Sequence, residues 1–115
     1  MEKIYNKLVR DLTPSILKGK NIKYKIISVD NGTVIPYVLN KFIEELDEVS
    51  QAIKEKNKEK ICEELADLLT VIFKLGECYD IGNDELLEKE EQKTNSNGEF
   101  EENFILKWVD EWDLV

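Results

Sequence analysis

The 115 residues contain no histidine and only two cysteines, Cys62 and Cys78. Without imidazole the chain cannot assemble a Ser-His-Asp or Cys-His nucleophile or a histidine-ligated zinc, and two thiols do not complete a structural zinc site. The cysteines stand sixteen positions apart in a helical pattern. Along one continuous helix that is about 24 Å, far beyond disulfide reach, so both are expected as thiols in a reducing compartment. Glycine and proline are also scarce, five and two, which argues against a loop-dominated or disordered chain. No apolar run approaches the ~20 residues of a membrane span. Glu2, Lys3, Lys7, Arg10 and Asp11 interrupt the apolar residues of the N-terminus, which does not fit a signal peptide. A cytoplasmic protein with no membrane partner is the expectation. Positive charge is in the minority, with 16 Lys plus Arg against 25 Asp plus Glu and a net charge of -9. That is the wrong sign for binding a long nucleic acid through its phosphates.

What is present suits a single domain over residues 1–115, since 42% of the residues are hydrophobic and 36% charged and domains cluster near this length. Ile4, Leu8, Leu12, Ile16 and Leu17 recur at near-helical spacing, and Thr13-Pro14 predicts a short helix from about Thr13. Residues 22–29 alternate apolar and polar at first and are rich in β-branched side chains, predicting a short strand or an extended arm, and Asp30-Asn31-Gly32 predicts a turn. From Thr33 or Pro36 to Lys56, the apolar positions Leu39, Phe42, Ile43, Leu46, Val49 and Ile53 follow the helical period. Residues 54–60 lack apolar members and read as a solvated connector. Ile61, Leu65, Leu68, Leu69, Ile72, Leu75 and Tyr79 then define a second long helix, which so short a connector makes an antiparallel neighbour of the first. A third helix, capped by Asn83 or Asp84, is expected to reach about Lys93 and to break over residues 94–98. The tail, with Phe100, Phe104, Ile105, Leu106, Trp108, Val109, Trp112 and Leu114, is apolar enough to be expected to pack on this domain or on a second copy. Trp108 and Trp112 read as packing residues, with stacking on a base as the alternative. The architecture read from the pattern is all-α: an antiparallel bundle of two long helices with shorter flanking ones, whose apolar faces are too wide for one small chain.

The long helices carry matched acidic pairs. Glu44-Glu45-Leu46-Asp47-Glu48 contains Glu45 and Glu48, and Glu63-Glu64-Leu65-Ala66-Asp67 contains Glu64 and Asp67, each pair three apart and so on one helix face. At ~100° per residue, Glu45 falls roughly 90° from the centre of its apolar stripe and Glu64 roughly 70° from its own, at the borders of the core. Glu44 and Asp47 point further out. Four border carboxylates meeting in one cleft would repel one another and need a cation. Oxygen-only ligation points to Mg²⁺ or Mn²⁺, the setting for water attack on a phosphoanhydride. The competing reading is a solvated acidic face, as in a non-catalytic helical module that binds a basic partner.

These motifs resemble those of the MazG-like all-α nucleoside triphosphate pyrophosphatases, which include phosphoribosyl-ATP pyrophosphohydrolase and whose hallmark is E-E-x-x-E, a spacer, then E-x-x-D. The opening Tyr5-Asn6-Lys7-Leu8-Val9-Arg10-Asp11 looks like the start of the phosphoribosyl-ATP branch, and Gly98-Glu99-Phe100 falls where that branch has a Gly-Phe element. The resemblance covers roughly residues 4–106. It implies that Glu45, Glu48, Glu64 and Asp67 hold Mg²⁺, with Glu44 and Glu63 as motif positions of less defined role. It also implies hydrolysis of the α–β phosphoanhydride of a nucleotide to a monophosphate and pyrophosphate in a homodimer or homotetramer. Phosphoribosyl-ATP is an alternative substrate. Lys7 and Arg10 match the opening motif as phosphate contacts, with a surface salt bridge as the alternative reading, and Lys93 lies where relatives carry basic residues. Asn97 departs from the pattern, standing where a basic residue is frequent.

Overall fold

The computed structural model describes residues 2–110 and divides into two compact units, Met1–Asn83 and Asp84–Val115. Regular structure among the described residues is helical throughout: α1 (Thr13–Gly19), α2 (Asn31–Lys54), α3 (Lys58–Glu77) and α4 (Asn83–Asn97). The fold is all-α. The β-branched segment at 22–29 forms no strand: it is exposed and without regular structure, and no second strand among the described residues stands beside it to complete a hydrogen-bonded ladder.

Short polar side chains decide where the long helices begin. The Asp30 carboxylate accepts the Thr33 backbone N–H at 2.7 Å, satisfying one of the orphan donors of a helix start. The Asp30-Asn31-Gly32 sequence expected to turn the chain is therefore the cap and first turn of α2. Asn57 does the same for α3 by accepting from Lys60 N–H at 3.1 Å. Residues 54–60, read as a connector, shrink to residues 55–57, since a capped run of Lys and Glu is good helix material. So short a link lays α3 back along α2 as a hairpin.

The seam of that hairpin is built from small side chains. On α2 the buried residues are Val34, Val38, Glu45, Val49 and Ala52, and on α3 it is Val71. Val34, Val38 and Val71 form a cluster against which Leu8, Tyr37, Phe42, Leu75 and Cys78 pack. Leu39, Ile43, Leu46 and Ile53, the stripe by which the sequence announces this helix, are instead about half exposed, as are Leu65 and Leu69 on α3. Helix α2 thus has two apolar stripes, centred roughly 100° apart around its axis, and the chain buries only the slimmer one against itself.

Both cysteines are free thiols. In the second unit α4 continues to Asn97, past the expected break, with the Thr94 hydroxyl bonded to the Glu90 carboxylate at 3.1 Å. It stops at Gly98, whose φ of 82° is open to glycine at no steric cost. Along the tail, Phe100 is 96% exposed and Trp108 78%. Trp112 and Leu114 lie outside the described residues. No helix among the described residues is long and apolar enough to cross a membrane.

Candidate functional site

Register along the hairpin brings the acidic pairs level. Glu48 lies six residues before the end of α2 and Glu64 six after the start of α3, while Glu45 and Asp67 lie nine from the same two ends. In an antiparallel pair, positions equidistant from the bend stand at the same height, here about 9 Å and 13.5 Å from it. One carboxylate oxygen from each of Glu45, Glu48, Glu64 and Asp67 accordingly falls within 4.8 Å of the other three.

Glu48 is exposed and Glu64 and Asp67 are half-buried, as border positions are, but Glu45 lies deeper than the border position read from the sequence. Glu45 is 6% exposed, in the middle of the buried valine stripe. Its place lies about a quarter turn from the outer, more apolar stripe, which dominates the helical period of the sequence. Among the described residues its one ion pair is with Lys41, one turn earlier, at 3.6 Å, and its Oε2 is buried without a hydrogen-bond partner, as is Oε2 of Glu64. Unpartnered buried carboxylate oxygens are costly. Burial first, then the Glu48 charge, raises the affinity of Glu45 for its proton. Glu64 is pushed up to about 7, chiefly by the Glu48 carboxyl at proton-sharing distance, with burial and the Glu48, Asp67 and Glu45 charges acting in the same sense.

Cations close in from the N-terminal side. Arg10 Nη2 reaches Asp67 Oδ1 at 2.6 Å. Lys7 pairs with Glu44 at 3.2 Å, and Lys41 also touches Glu44 at 3.4 Å. Glu44 stays outside the cluster and is held below the usual range: burial opposes this, but the Lys7 hydrogen bond and the Lys41 charge outweigh it. A cleft of about 530 Å³ adjoins these groups, lined by Lys7, Arg10 and Lys41, by Leu12 and Ile16, and by Glu45, which it shares with the acidic cluster. Both basic residues named in the opening segment therefore stand at this cleft, where they make ion pairs. Lys93 lies exposed on α4 in the second unit. Lys41 was missed by sequence reading, although its spacing of three and four from Glu44 and Glu45 was a usable signal.

The donor set suits a hard dication. Ligand oxygens at about 2.0–2.6 Å from such an ion span roughly 4–5 Å across its sphere, close to the spread of the four carboxylates. The two orphaned oxygens are the acceptors such an ion would satisfy. Neither curated proteins nor solved structures give a match to the chain. The family model for the MazG nucleotide pyrophosphohydrolase domain matches residues 35–95, a stretch that holds most of α2, all of α3 and both acidic pairs but not Lys7, Arg10 or the Gly98–Phe100 element. With more than half its length matched, and with that family's two acidic motifs level across one helical hairpin, the chain belongs to the MazG nucleotide pyrophosphohydrolase family and is a hydrolase of nucleotide phosphoanhydrides.

Proposed function

We propose that this protein hydrolyses the α–β phosphoanhydride of a nucleoside triphosphate, or a related nucleotide, to the monophosphate and pyrophosphate, clearing unwanted nucleotides. The observation that carries the reading is the convergence of Glu45, Glu48, Glu64 and Asp67, with two buried oxygens unpartnered, inside the matched segment. These residues would hold Mg²⁺, with Mn²⁺ as a substitute. A dication bound there screens the charge that builds on the phosphates and makes water a better nucleophile. A carboxylate of the cluster orients the attacking water and draws its proton. Lys7, Arg10 and Lys41 supply fixed positive charge to the phosphate chain, and Lys93 is a further candidate contact. Incubation with mixed nucleoside triphosphates and Mg²⁺ should yield monophosphate and pyrophosphate in equal amounts, and none with EDTA. Release of orthophosphate would refute the α–β assignment, and including phosphoribosyl-ATP in the panel decides between the two substrate classes.

We further propose that the outer stripe of α2 is covered by a second copy of the chain, in a homodimer or homotetramer. Ile43 is 58% exposed and Ile53 55%, a continuous apolar row that a solitary chain would leave in water. Light scattering should give at least twice the 13.4 kDa chain mass, and Ile43→Lys should lower it. A monomeric wild type would reject the proposal.

A further inference from the structure

The segment before α1 is attached to the hairpin at points of two different kinds. Leu8 packs against the Val34, Val38 and Val71 core, and Lys7 pairs with Glu44, which is outside the carboxylate cluster. Arg10, three residues on, pairs with Asp67, which is inside it. Anything that claims the cluster oxygens therefore competes with Arg10 and leaves the Lys7 and Leu8 attachments in place. The Arg10 pair is well exposed, at 61% and 39% for the two side chains, and an ion pair that open to water is weak. Residues 2–10 have no helix or ladder to hold Arg10 down. The cleft it borders sets three cations, Lys7, Arg10 and Lys41, against two carboxylates, Asp11 and Glu45, its other lining being apolar apart from Thr13.

We propose that Arg10 is an internal counter-ion: it occupies Asp67 until a dication takes that carboxylate, and then, tethered through Leu8 and Lys7, turns its guanidinium to the phosphate chain of the nucleotide in the adjoining cleft. This rests on the pyrophosphohydrolase reading and adds an order of events to it. Arg10 is a positioning residue in the metal-free protein and a substrate contact in the loaded one. A planar fork of N–H donors fits both partners, a carboxylate and then a phosphate.

The test needs no turnover. Calorimetric titration with Mg²⁺ alone should show Arg10→Met binding the ion about three- to fivefold more tightly than wild type, because the competitor is gone. In wild type, ¹⁵N relaxation of the amides at 9–12 should report faster local motion on adding Mg²⁺ alone, and renewed order when inorganic triphosphate follows. Mg²⁺ binding with the segment unmoved, or with Arg10→Met no tighter, overturns the inference while leaving the metal site standing. Failure of wild type to bind Mg²⁺ at all overturns both.

Discussion

Glu64→Gln should give a well-folded protein that releases pyrophosphate more slowly by a factor on the order of 10³. The loss of activity follows from removing one of four converging carboxylates, and the retained fold from what that carboxylate does when no ion is present. Glu64 then repels Glu48, Asp67 and Glu45, so a neutral amide of the same shape relieves strain. The effect on stability should itself depend on pH. At pH 8 wild-type Glu64 is charged, and the variant should melt at a higher temperature than wild type in EDTA. At pH 5 Glu64 is already protonated, its affinity having been raised to about 7, and the two proteins should melt together. A residue that merely decorated a solvated helix face would show neither the loss of turnover nor the pH-dependent gain. A variant that is unfolded at both pH values would rule out this account of the cluster.

The second large effect is a reversal in how stability responds to pH when Mg²⁺ is added. In metal-free protein Glu45 and Glu64 keep protons at pH values where the unfolded chain has lost them. The folded state then binds more protons, and stability falls as pH rises from the ordinary 4.5 through about 7. Asp30 and Glu44 act oppositely. Asp30 is lowered by its Thr33 hydrogen bonds and Glu44 by Lys7 and Lys41, so their contributions are lost as pH falls through their lowered values. The melting temperature in EDTA should therefore peak near pH 5 and decline toward pH 8. Mg²⁺ binds only the deprotonated cluster, so its effect grows over the same interval. At a concentration about a hundredfold above its dissociation constant it contributes ~2.7 kcal/mol, roughly 10 °C for a chain of this size. Calorimetric melts in EDTA and in Mg²⁺ between pH 5 and 8 test both slopes. Superimposable curves would exclude the cluster as the place where the ion binds.

The acidic motifs and their spacing were legible because spacing is conserved through helix geometry: three residues share a face, and equal distances from a short bend share a height. Asp30 and Asn57 are readable as helix starters, but Asn, Gly and Lys suit a turn or a connector equally well, so sequence alone does not separate the two. The depth of Glu45 was not legible. Hydrophobic periodicity locates the most apolar stripe of a helix, and on α2 that stripe, Leu39 to Ile53, is not the one the chain turns inward. A carboxylate among Val38, Val49 and Ala52 contradicts the rule by which buried faces are found, as functional groups do. The Arg10–Asp67 and Lys7–Glu44 pairs join residues 57 and 37 positions apart, and no local pattern encodes such a contact.

Ala52 and Val38, both fully buried at 0% exposure, act as a gauge block between the two rods. Helices separated by valine and alanine approach closely, while leucine or phenylalanine would set them wider by an ångström or more. A wider setting would draw the short Asp67 side chain away from the common focus. Bulk can therefore be exchanged along the outward row of α2 without moving the two rods, but a single thicker side chain in the inner row would spread the four carboxylates two turns away without touching them.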